Sequence, residues 1–263
     1  MKYLGRLVDG RTITHFFDLL RVLVDREMKL LYKRSTLGIA WTLISPLLQL
    51  AVFSFLFRSV VPLNIPKFSS FAFSGLLVWS WSQTALFQAT GLITNNKALI
   101  RQPNFPTAIL PIVTTMTGLI HFMLALPVLI LFLAIDGVPL KPVLFLLPLL
   151  MFIQFILTVS FAYPLAALNV TFRDTQHTLG VVLQMMFYLT PIFYDISSVP
   201  KQFQPFYQLN PMVPLLGAYR DILLKGTQPD WLALLIVSLV VAALLPIGLG
   251  IFRRQSTTFV EEL

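Results

Sequence analysis

The sequence predicts an all-α membrane protein. It would have six transmembrane helices, an amphipathic helix before the first of them and short re-entrant helices between the last two. The first observation is composition, because the 263 residues are 57% hydrophobic and only 11% charged, against about 25% charged residues in soluble domains. The second is a series of long apolar stretches, and the third is the uneven distribution of basic residues. Together they exclude a disordered chain and an ordinary soluble enzyme.

The segment before the first apolar stretch is amphipathic. From Thr14 to Arg34, apolar residues recur at helical spacing, and the opposite face places Asp25 four residues from both Arg21 and Lys29. We therefore expect a helix that lies in the headgroup layer of the membrane. Such a helix is either a simple anchor or an element that moves against a partner.

Six stretches are apolar enough to cross the hydrocarbon core, which takes about 20 residues. They are Ile39–Val61, Phe71–Ile93, Ala108–Ile135, Val143–Val170, Thr178–Tyr194 and Trp231–Phe252. The fifth is short and the third and fourth are long, so we expect tilt or partial re-entry. The predicted organisation is an interfacial segment, residues 1–38, followed by one membrane domain, residues 39–263.

The basic residues predict the orientation. With six spans, both termini share one face with the second and fourth loops, and that face carries thirteen of the nineteen Lys and Arg residues. The positive-inside rule then places both termini in the cytoplasm. The net charge of +8 is therefore interpreted as an orientation signal, and no nucleic-acid partner is expected.

Neutral polar and aromatic side chains occur within the spans, whereas no Asp or Glu lies well inside any of them. A proton relay is therefore not predicted, and the lone His121 is more typical of packing. The span glutamines suit either interhelical hydrogen bonds or a path for a hydroxyl-rich substrate, and interfacial belts are the alternative interpretation of the Trp and Tyr residues. The candidate channel or gate residues are Trp79, Trp81, Gln83, Gln184, Tyr188, Tyr194, Phe203 and Tyr207.

The chain contains no recognisable energy source or catalytic centre. None of its twelve glycines is followed by lysine, which excludes the phosphate-binding G-x-x-x-x-G-K-[ST] loop. There is no cysteine, and His15, His121 and His177 lack metal-ligand spacing. We predict no catalytic, metal or cofactor-binding residues, so a pump of this kind would need a separate motor.

Two connecting segments are unusual. Thr94–Pro106 is short, polar and basic, and Pro103 and Pro106 limit it to one or two helical turns. This segment is interpreted either as an element that transfers force from a docked partner or as an ordinary connecting loop. The outer segment Asp195–Asp230 is amphipathic and is broken by Pro200, Pro205, Pro211 and Pro214, which predicts short re-entrant helices buried in protein.

A series of short motifs runs through nearly the whole chain in a fixed order. They are Tyr32-Lys33-Arg34-Ser35-Thr36-Leu37-Gly38-Ile39-Ala40-Trp41, Pro46-Leu47, Gly75-Leu76-Leu77-Val78-Trp79, Asn96 to Phe105-Pro106, Leu110-Pro111, Asn169-Val170-Thr171-Phe172-Arg173-Asp174, Thr190-Pro191-Ile192-Phe193-Tyr194, Asn210-Pro211-Met212 and Arg220-Asp221-Ile222-Leu223. With these motifs in this order, the chain resembles the membrane subunits of ABC exporters of lipid-linked polysaccharides. These are the O-antigen, capsule and teichoic acid permeases, and the O-antigen type is the most similar.

The resemblance implies a half-transporter of the bacterial cytoplasmic membrane. It would form a homodimer with the polymer path between the two copies, and it would pair with two copies of a separate ATPase that binds the ATP and Mg²⁺. The ATPase would dock between the N-terminal helix and the loop after the second span, and Ser197 to Leu224 would cap the channel. The coupling residues implied are Asp25, Arg26, Lys29, Lys33, Arg34, Asn95, Asn96, Lys97 and Arg101.

Three questions stay open at this point. Arg173 and Asp174 in the second cytoplasmic loop are either a structural pair or part of a gate or lipid-pyrophosphate contact. An ABC permease for a drug or lipid would share the fold. A membrane enzyme that acts on polyprenyl phosphates is the third alternative, although such chemistry usually needs clustered carboxylates or histidine.

Overall fold

The computed structural model describes residues 10–33, 35–60, 65–103 and 105–262, and all regular structure in these ranges is helical. In chain order, the helices are α1 (Gly10–Tyr32), α2 (Trp41–Phe55), α3 (Phe68–Thr90), α4 (Leu92–Asn95), α5 (Lys97–Ile100), α6 (Leu110–Ile135), α7 (Leu147–Thr171), α8 (Thr175–Leu189), α9 (Gln204–Gln208), α10 (Met212–Arg220), α11 (Trp231–Gln255) and α12 (Phe259–Glu262). The prediction of an all-helical protein is confirmed for these residues.

Within the described ranges, four helical segments are long and apolar enough to cross a membrane. They are Gly38–Phe55, Thr107–Ile135, Pro142–Thr171 and Trp231–Gln255, and they correspond to the predicted first, third, fourth and sixth spans. Three of them begin with a short 3₁₀ turn that leads into the α-helix. The other two predicted spans form helices that do not meet these criteria, so the count of six stays a prediction.

Helix α3, the predicted second span, forms the centre of the bundle. It packs against α2, α6, α7, α8 and α10, and every residue from Ser70 to Trp79 is buried. A helix that is covered by other helices instead of lipid can contain serine, glutamine and tryptophan, and this lowers its mean hydropathy. Its N-terminal end is joined to α6, because the Ser70 hydroxyl donates a hydrogen bond to Asp136.

Helix α8, the predicted fifth span, contains 15 residues and is therefore about 22 Å long. It ends at Leu189 and not at Tyr194, where the predicted stretch ended. Thr190 precedes Pro191 and has φ −85° and ψ 135°, because a residue before proline is disfavoured in the α conformation. The chain continues without regular structure to the turn at Ile196–Ser198.

Helix α1 confirms the predicted amphipathic helix and is more than a surface anchor. Its apolar face, including Leu20, Leu23 and Val24, is buried in a cluster shared with α4, α5, α6, α7 and the C-terminal helices α11 and α12. A second and larger cluster lies around α3, α10 and the remaining parts of α6, α7 and α11. The bundle therefore has one core near α1 and another around α3.

Candidate functional site

A polar cavity of about 350 Å³ lies between the end of α1 and helices α2, α3, α6 and α8. It is bordered by the amides of Gln49, Gln83 and Gln88, by hydroxyl groups and by indole rings, and none of the Asp, Glu, Lys and Arg residues that the structure describes lines it. Its volume falls within the range of about 300–1,000 Å³ typical of small-molecule sites. The lining residues are Leu31, Tyr32, Trp41, Thr42, Ser45, Pro46, Gln49, Leu76, Leu77, Trp79, Ser80, Trp81, Gln83, Thr84, Gln88, Gly118, His121, Phe122, Ala125 and Phe187.

Tyr32, the last residue of α1, joins that helix to the wall of the polar cavity. Its hydroxyl oxygen lies 2.7 Å from Thr42 Oγ1 on α2 and 2.8 Å from His121 Nε2 on α6. The rings of Tyr32 and His121 meet edge to face at 5.8 Å between centroids. His121 is thus a hydrogen-bonded residue of the cavity wall, which agrees with the packing interpretation, and the same hydroxyl links three helices.

Three of the predicted channel residues lie together on α3. The Trp79 indole donates a hydrogen bond to Gln83 Oε1 at 2.9 Å, and both side chains border the cavity. Trp81 is almost completely buried, and its indole donates to the Thr115 carbonyl on α6 at 3.1 Å. A Cβ atom at Gly118 would lie 2.5 Å from the Trp81 ring, so glycine at this position permits the close approach of α3 and α6.

The glutamines divide between the two interpretations made from the sequence. Gln154 on α7 is fully buried and donates to the Val78 carbonyl at 2.7 Å and to Ser82 Oγ at 2.9 Å, so interhelical hydrogen bonding is confirmed for it. Gln49, Gln83 and Gln88 instead border the polar cavity.

The remaining predicted gate residues lie away from the polar cavity. Gln184 and Tyr188 are exposed on α8. The Tyr194 hydroxyl donates to the Tyr188 carbonyl at 3.0 Å and lies 3.2 Å from the Tyr207 hydroxyl on α9. Phe203, just before α9, is half exposed. Tyr194 and Tyr207 thus form a separate aromatic pair near α9.

The structure brings the two predicted coupling segments into contact. Arg26 on α1 donates a hydrogen bond to Asn96 Oδ1, between α4 and α5, at 3.3 Å, and the Asn96 amide donates to the Leu92 carbonyl at 3.0 Å. Below these groups, the buried side chains of Leu92, Ile93 and Ile100 share a core with α1. We call this joint surface of α1, α4 and α5 the α1–α5 platform.

The solvent-exposed side of the α1–α5 platform, away from the bundle, is polar and basic. Asp25 and Lys29 form an exposed ion pair at 2.6 Å, and Lys33, Asn95, Lys97 and Arg101 are also exposed. Burial raises the pKa of Glu27, and the positive charge of Arg26 opposes the shift. Arg34, the remaining predicted coupling residue, lies outside the described residues. The two single-turn helices α4 and α5 confirm the prediction of one or two turns in this segment.

Arg173 and Asp174 are exposed in the turn between α7 and α8. The ion pairs within the described ranges are Asp25–Lys29 and Asp221–Lys225, so Arg173 and Asp174 are not joined in a salt bridge. Their role in a gate or a phosphate contact stays a prediction.

Arg220 is a structural residue that the sequence interpretation missed. Its side chain is only 6% exposed. Its guanidinium donates to the carbonyls of Pro191 and Ile192 at 2.7 and 2.6 Å and lies 3.5 Å from the centre of the Phe71 ring. Arg220 therefore holds the irregular segment after α8 against the first turn of α3.

A further cavity of about 670 Å³ lies beside Arg220, between the start of α3, the segment after α8 and α10. Burial alone would raise the pKa of Asp195 in its wall, but hydrogen bonds from Ser197 and the charges of Arg220 and Lys225 lower it. Asp195 thus provides a negative charge close to the buried guanidinium.

Comparison with known proteins gives a consistent result over nearly the whole chain. Residues 18–224 match the family described as ABC-2 type transporter. The chain is 35% identical over 256 residues to the O-antigen export system permease protein RfbA of Myxococcus xanthus, covering 96% of this chain and 98% of that protein. It is 29% identical to the permease of the same name from Klebsiella pneumoniae, with coverage of 95% and 96%. It is 23% identical to the polysialic acid transport protein KpsM of Escherichia coli, with coverage of 91% and 95%.

Proposed function

Because the chain belongs to the ABC-2 type transporter family, we propose that it is the membrane subunit of an ATP-driven exporter of lipid-linked polysaccharide of the O-antigen type. The observation that carries the proposal is the similarity to O-antigen export permeases over almost the full length of both proteins.

The chemistry of the polar cavity supports a glycan substrate. Sugar hydroxyl groups both donate and accept hydrogen bonds, and so do the amide and hydroxyl side chains of Gln49, Gln83, Gln88 and Thr42. A lining without full charges avoids the strong binding that would slow the passage of a long polymer. Aromatic faces such as that of Trp79 add apolar surface against which sugar rings can pack.

The α1–α5 platform supports coupling to a separate ATPase. Its exposed charges face away from the bundle, and its apolar side shares a core with α6 and α7. A subunit that binds ATP and Mg²⁺ would dock here in two copies, one on each protomer of a homodimer. Movement of α1 would then reach the cavity wall through Tyr32, whose hydroxyl lies within hydrogen-bond distance of α2 and α6.

The same proposal includes the orientation and the span count. The platform would face the bacterial cytoplasm with both termini, and α9 and α10 would lie at the outer face as short re-entrant helices. Helix α3 would cross the membrane inside the protein, shielded from lipid. Helix α8, together with the irregular segment that follows it, would form the fifth crossing.

Export of polymer with a defined partner tests this function. The chain is expressed with its cognate ATPase subunit in a strain that lacks its own O-antigen permease, and surface polysaccharide is measured by gel and by antibody. We expect surface polymer and co-purification of both subunits in detergent, and no export when the ATPase carries a substitution of its phosphate-binding lysine. Absence of ATPase association would contradict the proposal, and drug resistance without polymer would favour the alternative permease class.

A further inference from the structure

A second cavity of about 400 Å³ lies between α3, α7 and α8 and ends at Asn210, Pro211 and Met212. We call it the apolar crevice. Its wall is more apolar than that of the polar cavity, and within it Leu157 is 2% and Leu183 is 6% exposed. The lining residues are Trp79, Ser82, Gln83, Leu86, Leu157, Thr158, Phe161, Pro164, Leu165, Leu168, Leu179, Leu183, Met186, Asn210, Pro211 and Met212.

The apolar crevice and the polar cavity share one wall. Trp79 and Gln83 line both of them, and the hydrogen bond of 2.9 Å from the Trp79 indole to Gln83 Oε1 fixes the two side chains together. Two spaces of different polarity thus meet at a pair of side chains one helical turn apart.

The two adjacent spaces match an amphiphile with a polar glycan and a long hydrocarbon chain. We propose that the apolar crevice binds a segment of the isoprenoid chain of the lipid-linked polysaccharide, next to the attached glycan, which enters the polar cavity. This inference rests on the proposed function, and it adds a lipid site bounded by α3, α7 and α8.

The purpose of such a site is orientation more than affinity. In a bilayer the isoprenoid chain already lies among lipid tails that are as apolar as leucine, so its transfer into the crevice yields little hydrophobic free energy. Binding therefore depends on close packing against side chains such as Leu165, Leu179 and Met186. A chain held there keeps the polar end of the substrate beside Trp79 and Gln83, at the edge of the polar cavity.

Photo-crosslinking in nanodiscs tests the site on the complete transporter with its ATPase. The probe is a polyisoprenyl diphosphate-linked disaccharide with a diazirine in the isoprenoid chain, and crosslinked peptides are mapped by mass spectrometry. A phosphatidylethanolamine with a diazirine in one acyl chain forms the second arm. We expect the isoprenoid probe to label the segments 157–168 and 179–186, and unlabelled polyisoprenyl glycan, but not phospholipid, to compete with it.

A matched pair of substitutions on α7 separates the crevice from the rest of the helix. Leu165 lines the crevice, whereas Leu149 on the same helix is 41% exposed and does not line it. Leu165→Trp should reduce crosslinking of the isoprenoid probe about tenfold and reduce export, and Leu149→Trp should change neither. Co-purification of the ATPase confirms that each variant is folded.

Other outcomes would overturn the inference. These are equal labelling of the crevice by the phospholipid probe, labelling confined to other helices, or full export by a folded Leu165→Trp variant. In each of these cases the wild-type protein would still export polymer, and the proposed function would stand. Failure of wild-type export would instead contradict the proposed function itself.

Discussion

At the residue scale, Tyr32 connects the α1–α5 platform to the polar cavity. Tyr32→Phe removes the hydroxyl that lies between Thr42 and His121 and leaves His121 Nε2 without this partner. We expect the free energy of unfolding to fall by about 1–2 kcal/mol. We also expect export per ATP hydrolysed to decrease, because α1 loses its polar contacts with α2 and α6. Unfolding is followed by tryptophan fluorescence in mixed micelles, and coupling by parallel assays of polymer export and ATP hydrolysis.

Tyr188→Phe is the control for this prediction, because the Tyr188 side chain is 59% exposed on α8. It should leave stability and coupling near the wild-type values. A Tyr32→Phe variant that exported polymer at the normal ratio to ATP hydrolysis would contradict the transmitting role of Tyr32, whatever its stability.

The second prediction at this scale concerns Arg220. Arg220→Met keeps most of the side-chain volume but leaves the carbonyls of Pro191 and Ile192 without their buried donors. The expected loss is about 2–4 kcal/mol of unfolding free energy, whereas Arg173→Met in an exposed turn should stay within about 0.5 kcal/mol. Equal effects of the two substitutions, measured by the same unfolding assay, would show that Arg220 does not hold the segment after α8.

At the element scale, the sequence predicted some features of the fold more reliably than others. Long apolar runs identified α6, α7 and α11, because helices that face lipid must be apolar over their whole length. Helix α3 was located within a few residues, but its central position could not be derived from its residues alone. The early end of α8 could have been predicted from Pro191, since residues before proline disfavour the α conformation.

The candidate site was less predictable, because it depends on which helices are neighbours. Trp79 and Gln83 were among the eight candidate channel residues, but their position beside two cavities depends on the packing of α2, α7 and α8 around α3. The predicted topology puts Arg220 on the outer side of the membrane, and it gives no information on whether the side chain is buried in the protein. Its partners are backbone carbonyls, which no side-chain pattern in the sequence indicates.

The packing of α11 on α7 gives a prediction about whole helices. A Cβ atom at Gly248 would lie 2.5 Å from the Ser160 carbonyl oxygen, whereas one at Gly250 would meet nothing within 4 Å. Gly248→Ala must therefore push the two helices apart, at a cost of about 1–3 kcal/mol. Gly250→Ala should be neutral or stabilising by up to about 1 kcal/mol. Unfolding in mixed micelles measures both, and equal stability of the two variants would contradict the close helix contact.

At the scale of the whole molecule, three structural features are combined in one helical bundle. The α1–α5 platform presents charge at one end of the bundle, the polar cavity begins at Tyr32, and the apolar crevice lies behind Trp79 and Gln83. In the proposed function, force received by the platform would reach the cavity wall through Tyr32. The proposed export requires that the α1–α5 platform and the α9 end of the bundle lie on opposite sides of the membrane.

The last prediction tests that condition and the span count together. Because the chain has no cysteine, Gln102→Cys and Gln202→Cys each introduce a single thiol at an exposed position. Helices α6, α7 and α8 lie between the two positions, so the thiols are on opposite sides only if α8 crosses as well. We expect a membrane-impermeant maleimide to label Gln202→Cys in intact spheroplasts and Gln102→Cys only after lysis. Labelling of both thiols before lysis, or protection of both, would mean that α8 does not cross and that the bundle has fewer than six spans. The reverse pattern would place the platform, and with it the ATPase, on the wrong side of the membrane.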